Sequence, residues 1–461
     1  MSSIKHKLAR LSAGPSRWPK RSFKAGQGTA SDDSDDLPDG PDSHLEMDPD
    51  TGEFLSPHAR KTAPIDAGDA GPPPAEGPAK LAASAMLPGE RTLTAAGPLR
   101  RVIARFDADH RHGTVRPAKA LAASAANMAL LALDPTLATC DLGRALYLDT
   151  ETTGLLGGTG TLPFLVGMAW FESDVLHVEQ LFLERPGEEA PILLRLAERL
   201  SEASVIVSFN GKSFDWPLLR TRFILQRIAA PKLPPHLDLL HCARRVYKRR
   251  LGSVRLSALE QAVLGFERIG DIDGALIPDL YLGFLRGRVH PGALVPILDH
   301  NRSDLVALPA LLGEMAERFA VEGRNDDARD ALGFAHVSAR AHRLGFACAH
   351  DQALSFAAHS AACDLRGELV PEAHFLAGEL HRKRGSIEDA VAAYRAAIAA
   401  AITADDVKAR AHLALAKLYE HKLNDLNLAL HHAEQAACGD DDADSEKRRA
   451  RLEKKLRRGL D

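Results

Sequence analysis

The stretch ALYLDTETTG, residues 145–154, combines a short apolar run with two closely spaced acidic residues. The uninterrupted run Ala145–Leu148 is typical of a strand that is covered on both faces of a sheet. Because residues i and i+2 of a strand project from the same face, Asp149 and Glu151 would place two carboxylates side by side at the end of a buried strand. Such a pair also fits a strand that leaves the core into solvent, so a divalent-cation site requires further acidic residues.

The elements that flank this stretch indicate a layered α/β domain. Two apolar runs, Phe164–Phe171 and Val175–Phe182, are separated by Glu172-Ser173-Asp174 and predict a β-hairpin. Residues 188–200 have the apolar spacing of an amphipathic helix, and residues 205–209 are typical of another buried strand. Helical patterns continue to about residue 319. We therefore predict one α/β domain over residues 110–320.

A third carboxylate, that of Asp215, follows the second buried strand in VIVSFNGKSFDWPLLRTRF, residues 205–223. Ser213 fits a helix N-cap and Pro217 fits the first turn, which places Asp215 at a helix N-terminus. The positive end of the helix dipole would keep this carboxylate ionised, as a ligand of a hard cation must be. Taken alone, Asp215 is better explained as a residue that only complements the dipole. A nucleotide-binding P-loop is excluded because position 206 is Ile and not Gly.

The final acidic candidate lies in LDHNRSDLVALPALL, residues 298–312. His300 and Asp304 are four residues apart, hence one helical turn apart on a shared face. Asp304 could bind a cation, and an imidazole with a pKa of about 6.5 could accept a proton from water at neutral pH. The chain has 20 histidines, so an isolated pair of this kind is more often an ordinary surface pair. Its combination with the earlier carboxylates favours a site.

The order D-x-E, then N-x-x-x-F-D, then a final Asp preceded by His resembles the DEDD exonucleases of the ribonuclease H-like superfamily, and more specifically the YprB (MrfB) family. The resemblance runs almost continuously over about residues 110–320 and is strongest in four stretches, at residues 146–172, 207–223, 236–281 and 298–312. It implies a ribonuclease H-like sheet flanked by helices, bound divalent metals and phosphodiester hydrolysis. The appended helical repeats described below also fit this family.

Carried over residue by residue, the resemblance implies that two divalent metal ions, Mg²⁺ or Mn²⁺, are held by four carboxylates: Asp149, Glu151, Asp215 and Asp304. It implies His300 as the general base. His300 precedes Asp304 by four residues, the spacing usual for Tyr in such enzymes, whereas the spacing of five usual for His falls on Asp299. The substrate-binding residues implied by the same resemblance are Thr152, Asn210 and Phe214.

The composition of the whole chain excludes several classes of protein. The 461 residues, 45% hydrophobic and 26% charged, suit two or three globular domains, and the net charge of −4 does not by itself indicate nucleic acid. No apolar stretch approaches the roughly 20 residues of a bilayer-spanning helix, and no secretory signal is recognisable. The five scattered cysteines argue against a disulfide framework or a cysteine zinc site. We therefore expect a cytoplasmic protein without a membrane partner.

Composition also divides the rest of the chain. Residues 1–100 are rich in Ser, Gly, Pro and charge, which predicts a disordered tail. Over residues 326–440, runs that start at Ala373 and Ala411 align with each other, and a weaker copy starts near Ala335; this predicts tetratricopeptide-like repeats. The same small residue recurs in the second helix of each copy, at Ala353, Ala390 and Ala429. The helix-compatible, basic sequence of residues 441–461 predicts a basic helical tail.

The expected fold is thus an α/β ribonuclease H-like domain followed by an all-α tetratricopeptide-like repeat domain, with a disordered N-terminal tail. The expected function is that of a divalent-metal-dependent 3′–5′ exonuclease. DNA is favoured over RNA as the substrate, because the resemblance implies relatives that work in DNA repair, sometimes beside a helicase. The repeats would suit a helicase or another protein partner.

Two other functions stay open at this point. One is a catalytically silent scaffold with a nuclease fold, which binds partners through its repeats. The other is an RNA-processing nuclease of the same chemistry. A basic group in a predicted helix either follows a nucleic-acid backbone or forms a solvated face: Arg244, Arg245, Lys248, Arg249 and Arg250. The sequence assigns no role to three further acidic residues: Asp238, Asp271 and Asp273.

Overall fold

The computed structural model describes residues 86–154, 160–321, 323, 325–402, 405–436 and 443–458. These residues form a mixed seven-stranded sheet with flanking helices, followed by a helical C-terminal region. The predicted disordered tail lies outside the described residues as far as position 85. In the described ranges, no helix has both the length and the apolar character needed to cross a membrane.

The strands form one sheet in the order β1-β2-β5-β4-β3-β6-β7. Their bounds are β1 (Glu90–Thr94), β2 (Gly97–Phe106), β3 (Ala145–Thr152), β4 (Pro163–Glu172), β5 (Val175–Phe182), β6 (Val205–Ser208) and β7 (His236–Asp238). Strand β6 runs parallel to β3 and β7, whereas the other neighbours are antiparallel. The predicted hairpin is formed by β4 and β5, with Ser173 at φ 58° in the turn. The acidic strand β3 lies inside the sheet, as its apolar run predicts.

The sheet begins earlier in the chain than the sequence predicts. Strands β1 and β2 lie within residues 90–106, whereas the predicted tail covers residues 1–100 and the predicted α/β domain begins at residue 110. The reason is that arginines in this segment are paired rather than solvated. Arg100 is buried and donates through Nε to Glu184 Oε1 at 2.6 Å, and Arg101 donates to the buried Glu179. A charge count therefore underestimates how well this segment can be ordered.

Seven α-helices lie in the described part of the sheet region. They are α1 (Ala125–Ala132), α2 (Ala190–Glu202), α3 (Asp215–Leu225), α4 (Leu239–Leu251), α5 (Leu256–Leu259), α6 (Ile277–Leu285) and α7 (Val295–Ala320). A single π-helical turn, Glu260–Leu264, directly continues α5. Helix α3 begins at Asp215, with Phe214 at the N-cap position and without a side-chain cap. The predicted cap at Ser213 is therefore wrong, because the backbone N–H of Ser213 closes a turn onto the carbonyl of Asn210.

The side chains of β3 alternate between two hydrophobic clusters. Ala145 and Tyr147 belong to the cluster that contains α1, α4 and most of the buried residues of α7. Leu146 and Leu148 belong to the cluster that contains α2, α3 and α6. Continuing this alternation to the end of the strand places Asp149 and Glu151 on the side of Tyr147, and Thr150 on the side of Leu148. One strand thus directs two carboxylates to one face and a hydroxyl to the other.

The described C-terminal region is helical. It comprises α8 (Ala328–Arg343), α9 (Ala349–Cys363), α10 (Val370–Arg384), α11 (Ile387–Ala400), α12 (Asp405–Leu418), α13 (Leu426–Ala436) and α14 (Ala443–Arg458). Helices pack in consecutive pairs, α8 with α9, α10 with α11 and α12 with α13. The recurring alanines Ala353, Ala390 and Ala429 are fully buried near the start of the second helix of each pair. The described region thus contains consecutive helix pairs, and their assignment as tetratricopeptide-like repeats stays a prediction.

One hydrophobic cluster joins the sheet region to the first of these helix pairs. Phe319 of α7 stacks on Phe356 of α9 with ring centroids 5.6 Å apart, and Phe334 of α8 packs edge-on against Tyr247 of α4 at 6.4 Å. This cluster extends as far as Ala373, whereas α11, α12, α13 and α14 contribute to a separate one. The division between the two cores lies within α10.

Ion pairs reinforce this junction. Arg249 of α4 bonds to Glu372 of α10 at 2.5 Å, and Arg250 bonds to the buried Asp330 of α8 at 2.8 Å. Arg245 donates to the carbonyl of Leu131 at 3.2 Å. Three of the five cations in the predicted basic helix therefore hold the fold together, which leaves Arg244 and Lys248 exposed to solvent.

Candidate active site

The predicted acidic residues lie where β3, α3 and α7 meet. Asp149 and Glu151 end strand β3, Asp215 begins α3, and Asp304 lies two turns into α7. Asp215 is 9% exposed, and the other three carboxylates are partly buried. Their charges interact, because the ionised forms of Asp304, Asp215 and Glu151 each disfavour ionisation of Asp149. The fold thus brings four residues that are far apart in sequence into one electrostatic cluster.

Asp149 is oriented by a buried amide. The Nδ2 group of Asn301 donates to Asp149 Oδ2 at 2.7 Å, while Asn301 Oδ1 accepts from Gln180 Nε2 at 2.8 Å. Gln180 also donates to the carbonyl of Leu298 at 2.8 Å, so both of its amide hydrogens have acceptors. Because its oxygen is used by Gln180, the amide of Asn301 can present only its N–H group to the carboxylate.

Asp215 is held against β3 by Thr150. The hydroxyl of Thr150 donates to Asp215 Oδ1, which connects the start of α3 to the acidic strand. Gly211 lies close to the same carboxylate, and a Cβ at that position would collide with Ser208 and approach Asp215 Oδ2 at 3.0 Å. A glycine in the β6–α3 turn therefore leaves room for the carboxylate.

His300 and Asp304 share a face of α7, as their spacing predicts. His300 Nε2 lies 3.8 Å from Asp304 Oδ2, and His300 Nδ1 lies 2.9 Å from Asp271. A proton on Nδ1 would be donated to Asp271, which leaves Nε2 as the acceptor on the side of Asp304. Burial opposes ionisation of Asp271, but hydrogen bonds from His300 and Arg268 outweigh it and lower the pKa of Asp271.

Asp304 has a further partner that no pattern in the sequence indicates. Nη2 of Arg268 donates to Asp304 Oδ1, and Nη1 of the same guanidinium donates to Asp271 Oδ2 at 3.1 Å. Asn301 was missed as well, although it directly follows His300. Neither residue has a sequence signature, because the partners that define its role lie on other elements of the fold.

The pKa values of the cluster indicate uncompensated negative charge. Burial raises the pKa of Asp149 well above its usual value, and the neighbouring carboxylates raise it further. Burial and the charge of Asp304 raise the pKa of Glu151 to about 8. Burial raises the pKa of Asp215 to about 6 against the hydrogen bond from Thr150, and it raises that of Asp304 against the attraction of Arg268. Like charges in a poorly solvated space resist ionisation unless a cation joins them.

The donor set fits divalent cations by its chemistry. Four carboxylates supply the hard oxygen ligands that Mg²⁺ and Mn²⁺ take, and their mutual repulsion favours a bound cation. In the part of the chain that the structure describes, no three carboxylate, imidazole or thiol side chains are already arranged around one cation position. Thr150 and Arg268 each donate to one oxygen, Oδ1, of Asp215 and of Asp304 respectively.

The predicted substrate-binding residues lie around this cluster. Phe214 directly precedes Asp215 and is 57% exposed, so its ring is available to a ligand. Asn210 has a left-handed backbone with φ 69°, and its N–H donates to Asp238 Oδ1 at 2.8 Å. The Thr152 hydroxyl donates to the carbonyl of Gly154 at 2.8 Å. Their role in substrate binding stays a prediction.

Two of the acidic residues without a predicted role stabilise turns. Asp238 accepts from the backbone N–H groups of Asn210 and Lys212, and it also caps α4 through the N–H of Leu240. Asp273 caps the short helix that follows it by accepting from the N–H of Ala275 at 3.0 Å. Asp271 differs from both, because it contacts His300 and Arg268 within the site.

Comparison with known proteins agrees with this architecture. A model of the RNase_H superfamily matches residues 146–316, a range that contains all four carboxylates and His300. Protein YprB of Bacillus subtilis (strain 168) is 33% identical over 300 residues, which is 63% of this chain and 70% of the relative. The sheet, the matched range and this identity lead to one assignment: the chain belongs to the YprB family of the RNase_H superfamily.

Proposed function

We propose that this protein is a divalent-metal-dependent 3′–5′ exonuclease that hydrolyses phosphodiester bonds of DNA. Membership of the RNase_H superfamily supports cleavage of nucleic acid. The observation that carries the proposal is the pair Asp149 and Glu151 at the end of a buried strand, with raised pKa values, beside Asp304 and His300. Such repulsion costs the protein stability unless a bound cation relieves it, which is the pattern of a cation site.

The four carboxylates would hold the metal ions in this proposal. Bound divalent cations would neutralise negative charge on the phosphate and make water easier to deprotonate. His300 Nε2 would accept the proton, since Asp271 holds the other ring nitrogen and fixes the orientation of the ring. Asn301 keeps Asp149 turned toward the cluster.

The exposed ring of Phe214 would stack on the terminal base, next to the metal ligand Asp215. Stacking tolerates every base, which suits an exonuclease that advances along a strand. DNA and a role in DNA repair are proposed over RNA because the resemblance to the YprB family implies such a role. The C-terminal helices would offer a surface for a protein partner such as a helicase.

Digestion of end-labelled single- and double-stranded DNA and RNA with Mn²⁺, Mg²⁺ or EDTA tests this function. We expect DNA labelled at the 5′ end to give a ladder of shortened products, DNA labelled at the 3′ end to release labelled mononucleotide first, and EDTA to stop both reactions. Glu151→Gln should be inactive, while Glu198→Gln, at an exposed carboxylate of α2, should behave as wild type. Faster digestion of RNA than of DNA would assign RNA as the substrate. An absence of hydrolysis on all substrates would contradict the proposal.

A further inference from the structure

We propose that Arg268 is a positioning residue that occupies Asp304 in the metal-free protein and must release it when a divalent cation binds. Arg268 would thereby set the metal affinity of the site. This inference rests on the proposed function, because it assumes that Asp304 is a metal ligand.

The guanidinium of Arg268 connects three carboxylates. Nε donates to Glu260 Oε2 at 2.6 Å, Nη1 donates to Asp271 Oδ2 at 3.1 Å, and Nη2 donates to Asp304 Oδ1. Its side chain is only 11% exposed. Charge-assisted hydrogen bonds of this kind hold all three carboxylates in a defined geometry around the guanidinium. In the metal-free protein, Arg268 therefore supplies positive charge at the edge of the acidic cluster.

The support behind Arg268 is independent of Asp304. Glu260 is fully buried within the π-helical turn Glu260–Leu264, an irregularity that is often found at functional sites. Its second oxygen lies 2.7 Å from Nε2 of the buried His112, whose ring stacks on Phe266 at 3.8 Å. A carboxylate without solvent access needs the guanidinium as its counter-ion. Glu260 therefore keeps Arg268 next to the site after Asp304 has turned to another cation.

Two effects follow for metal binding. The cation must compete with Nη2 of Arg268 for Asp304 Oδ1, and it must enter next to a fixed positive charge that repels it. Removing the guanidinium removes both the competitor and the repulsion, so the metal should bind more tightly. Removing the charge of Glu260 should weaken metal binding, because Arg268 then has fewer anionic partners and interacts more strongly with Asp304.

The experiment measures Mn²⁺ binding to the full-length protein without nucleic acid, by calorimetry and by the thermal shift that Mn²⁺ produces. We expect Arg268→Gln to lower the Mn²⁺ Kd by roughly tenfold or more, the equivalent of one charge-assisted hydrogen bond. Glu260→Gln should raise the Kd, and Arg268→Lys should fall between wild type and Arg268→Gln. Arg302→Gln, which removes an exposed ion pair with Asp299 on the same helix, should leave the Kd unchanged.

Tighter metal binding is a result that damage to the fold would not produce. Should Arg268→Gln fail to fold because Glu260 is left unpaired, the double variant Glu260→Gln with Arg268→Met removes both charges and should still bind Mn²⁺ more tightly than wild type. The inference is overturned if the folded variants without Arg268 bind Mn²⁺ as wild type does, or more weakly. If wild type itself neither binds Mn²⁺ nor cleaves nucleic acid, the proposed function fails instead.

Discussion

At the scale of single residues, the site is controlled by charge that the protein itself does not fully neutralise. Glu151 is the clearest case, because burial and Asp304 raise its pKa to about 8 from an ordinary value of 4.5. The folded metal-free protein therefore binds a proton that the unfolded chain releases between these two values. Proton binding by the folded state stabilises it at low pH, and this stabilisation is lost as the pH rises toward about 8.

We expect the melting temperature of the metal-free protein to fall by on the order of several degrees between pH 6 and pH 9. Saturating Mg²⁺ should remove most of this fall, because the cation replaces the proton. Glu151→Gln should show a shallower dependence without metal. Scanning calorimetry in EDTA and in Mg²⁺ measures both effects, and identical pH profiles for wild type and Glu151→Gln would contradict the charge argument.

His300 lies between the carboxylates of Asp271 and Asp304 and is proposed as the general base. We expect His300→Ala to lower kcat by roughly 10² while Mn²⁺ still binds, because a lost general base raises the barrier without removing a metal ligand. Asp271→Asn should cause a smaller loss, since the imidazole remains but its orientation is no longer fixed. Single-turnover hydrolysis of a short labelled oligonucleotide gives the rates; a wild-type rate for His300→Ala would identify His300 as a bystander.

At the scale of elements, the site depends on how closely α7 approaches the sheet. Gly167 of β4 is paired with Asp149 of β3, and a Cβ at Gly167 would collide with the amide of Asn301. The glycine thus allows α7 to place Asn301 within hydrogen-bonding distance of Asp149. A small residue in one strand determines the geometry of a carboxylate in its neighbour.

Gly167→Ala should lower the free energy of unfolding by roughly 1–3 kcal/mol, because it overpacks a buried contact. It should also reduce activity, because Asn301 can no longer hold Asp149. Gly274→Ala is the matched control, since a Cβ there meets no atom within 4 Å. Urea unfolding and hydrolysis rates measure the two effects. Wild-type stability for Gly167→Ala would mean that α7 can shift away from β4 without cost.

Local sequence patterns predict single elements better than they predict contacts between elements. The run Ala145–Leu148 and the hairpin of β4 and β5 were predictable because the pattern that specifies each is local. Strand β2 was not, since the charge of Arg100 is compensated by Glu184, which lies 84 residues away. For the candidate site, the sequence indicated acidic residues and a histidine. It could not indicate Asn301 or Arg268, because their roles depend on contacts between separate elements.

At the scale of the whole molecule, the sheet region and the first helix pair share a core. The boundary predicted between residues 320 and 326 lies inside the hydrophobic cluster that contains Phe319, Phe334 and Phe356. Glu372 adds to this junction by bonding to Arg249 and to His336. These bonds lower the pKa of Glu372 to about 2, even though burial favours the neutral form of its carboxyl group. The separation of cores within α10 predicts a different point at which the chain can be divided.

A chain that ends at Gly323 should therefore be unstable, because removal of each buried aromatic ring from such a core costs roughly 3–5 kcal/mol. A chain that ends at Gly385 keeps the shared cluster and should retain a cooperative thermal transition and metal-dependent hydrolysis. Calorimetry and activity of the two truncated proteins decide between these boundaries. A stable and active chain ending at Gly323 would show that the sheet region is an independent domain.

The acidic cluster is proposed to bind the metal ions on which hydrolysis depends. The most direct measurement is a calorimetric Mn²⁺ titration followed by hydrolysis of labelled single-stranded DNA, for wild type, Asp149→Asn and Asp299→Asn. Asp299 is an exposed carboxylate on α7 and serves as the matched control. We expect Asp149→Asn to lose Mn²⁺ binding and hydrolysis together while it melts no lower than metal-free wild type, and Asp299→Asn to retain both. Wild-type Mn²⁺ binding and hydrolysis in folded Asp149→Asn would show that the acidic cluster is not the metal site.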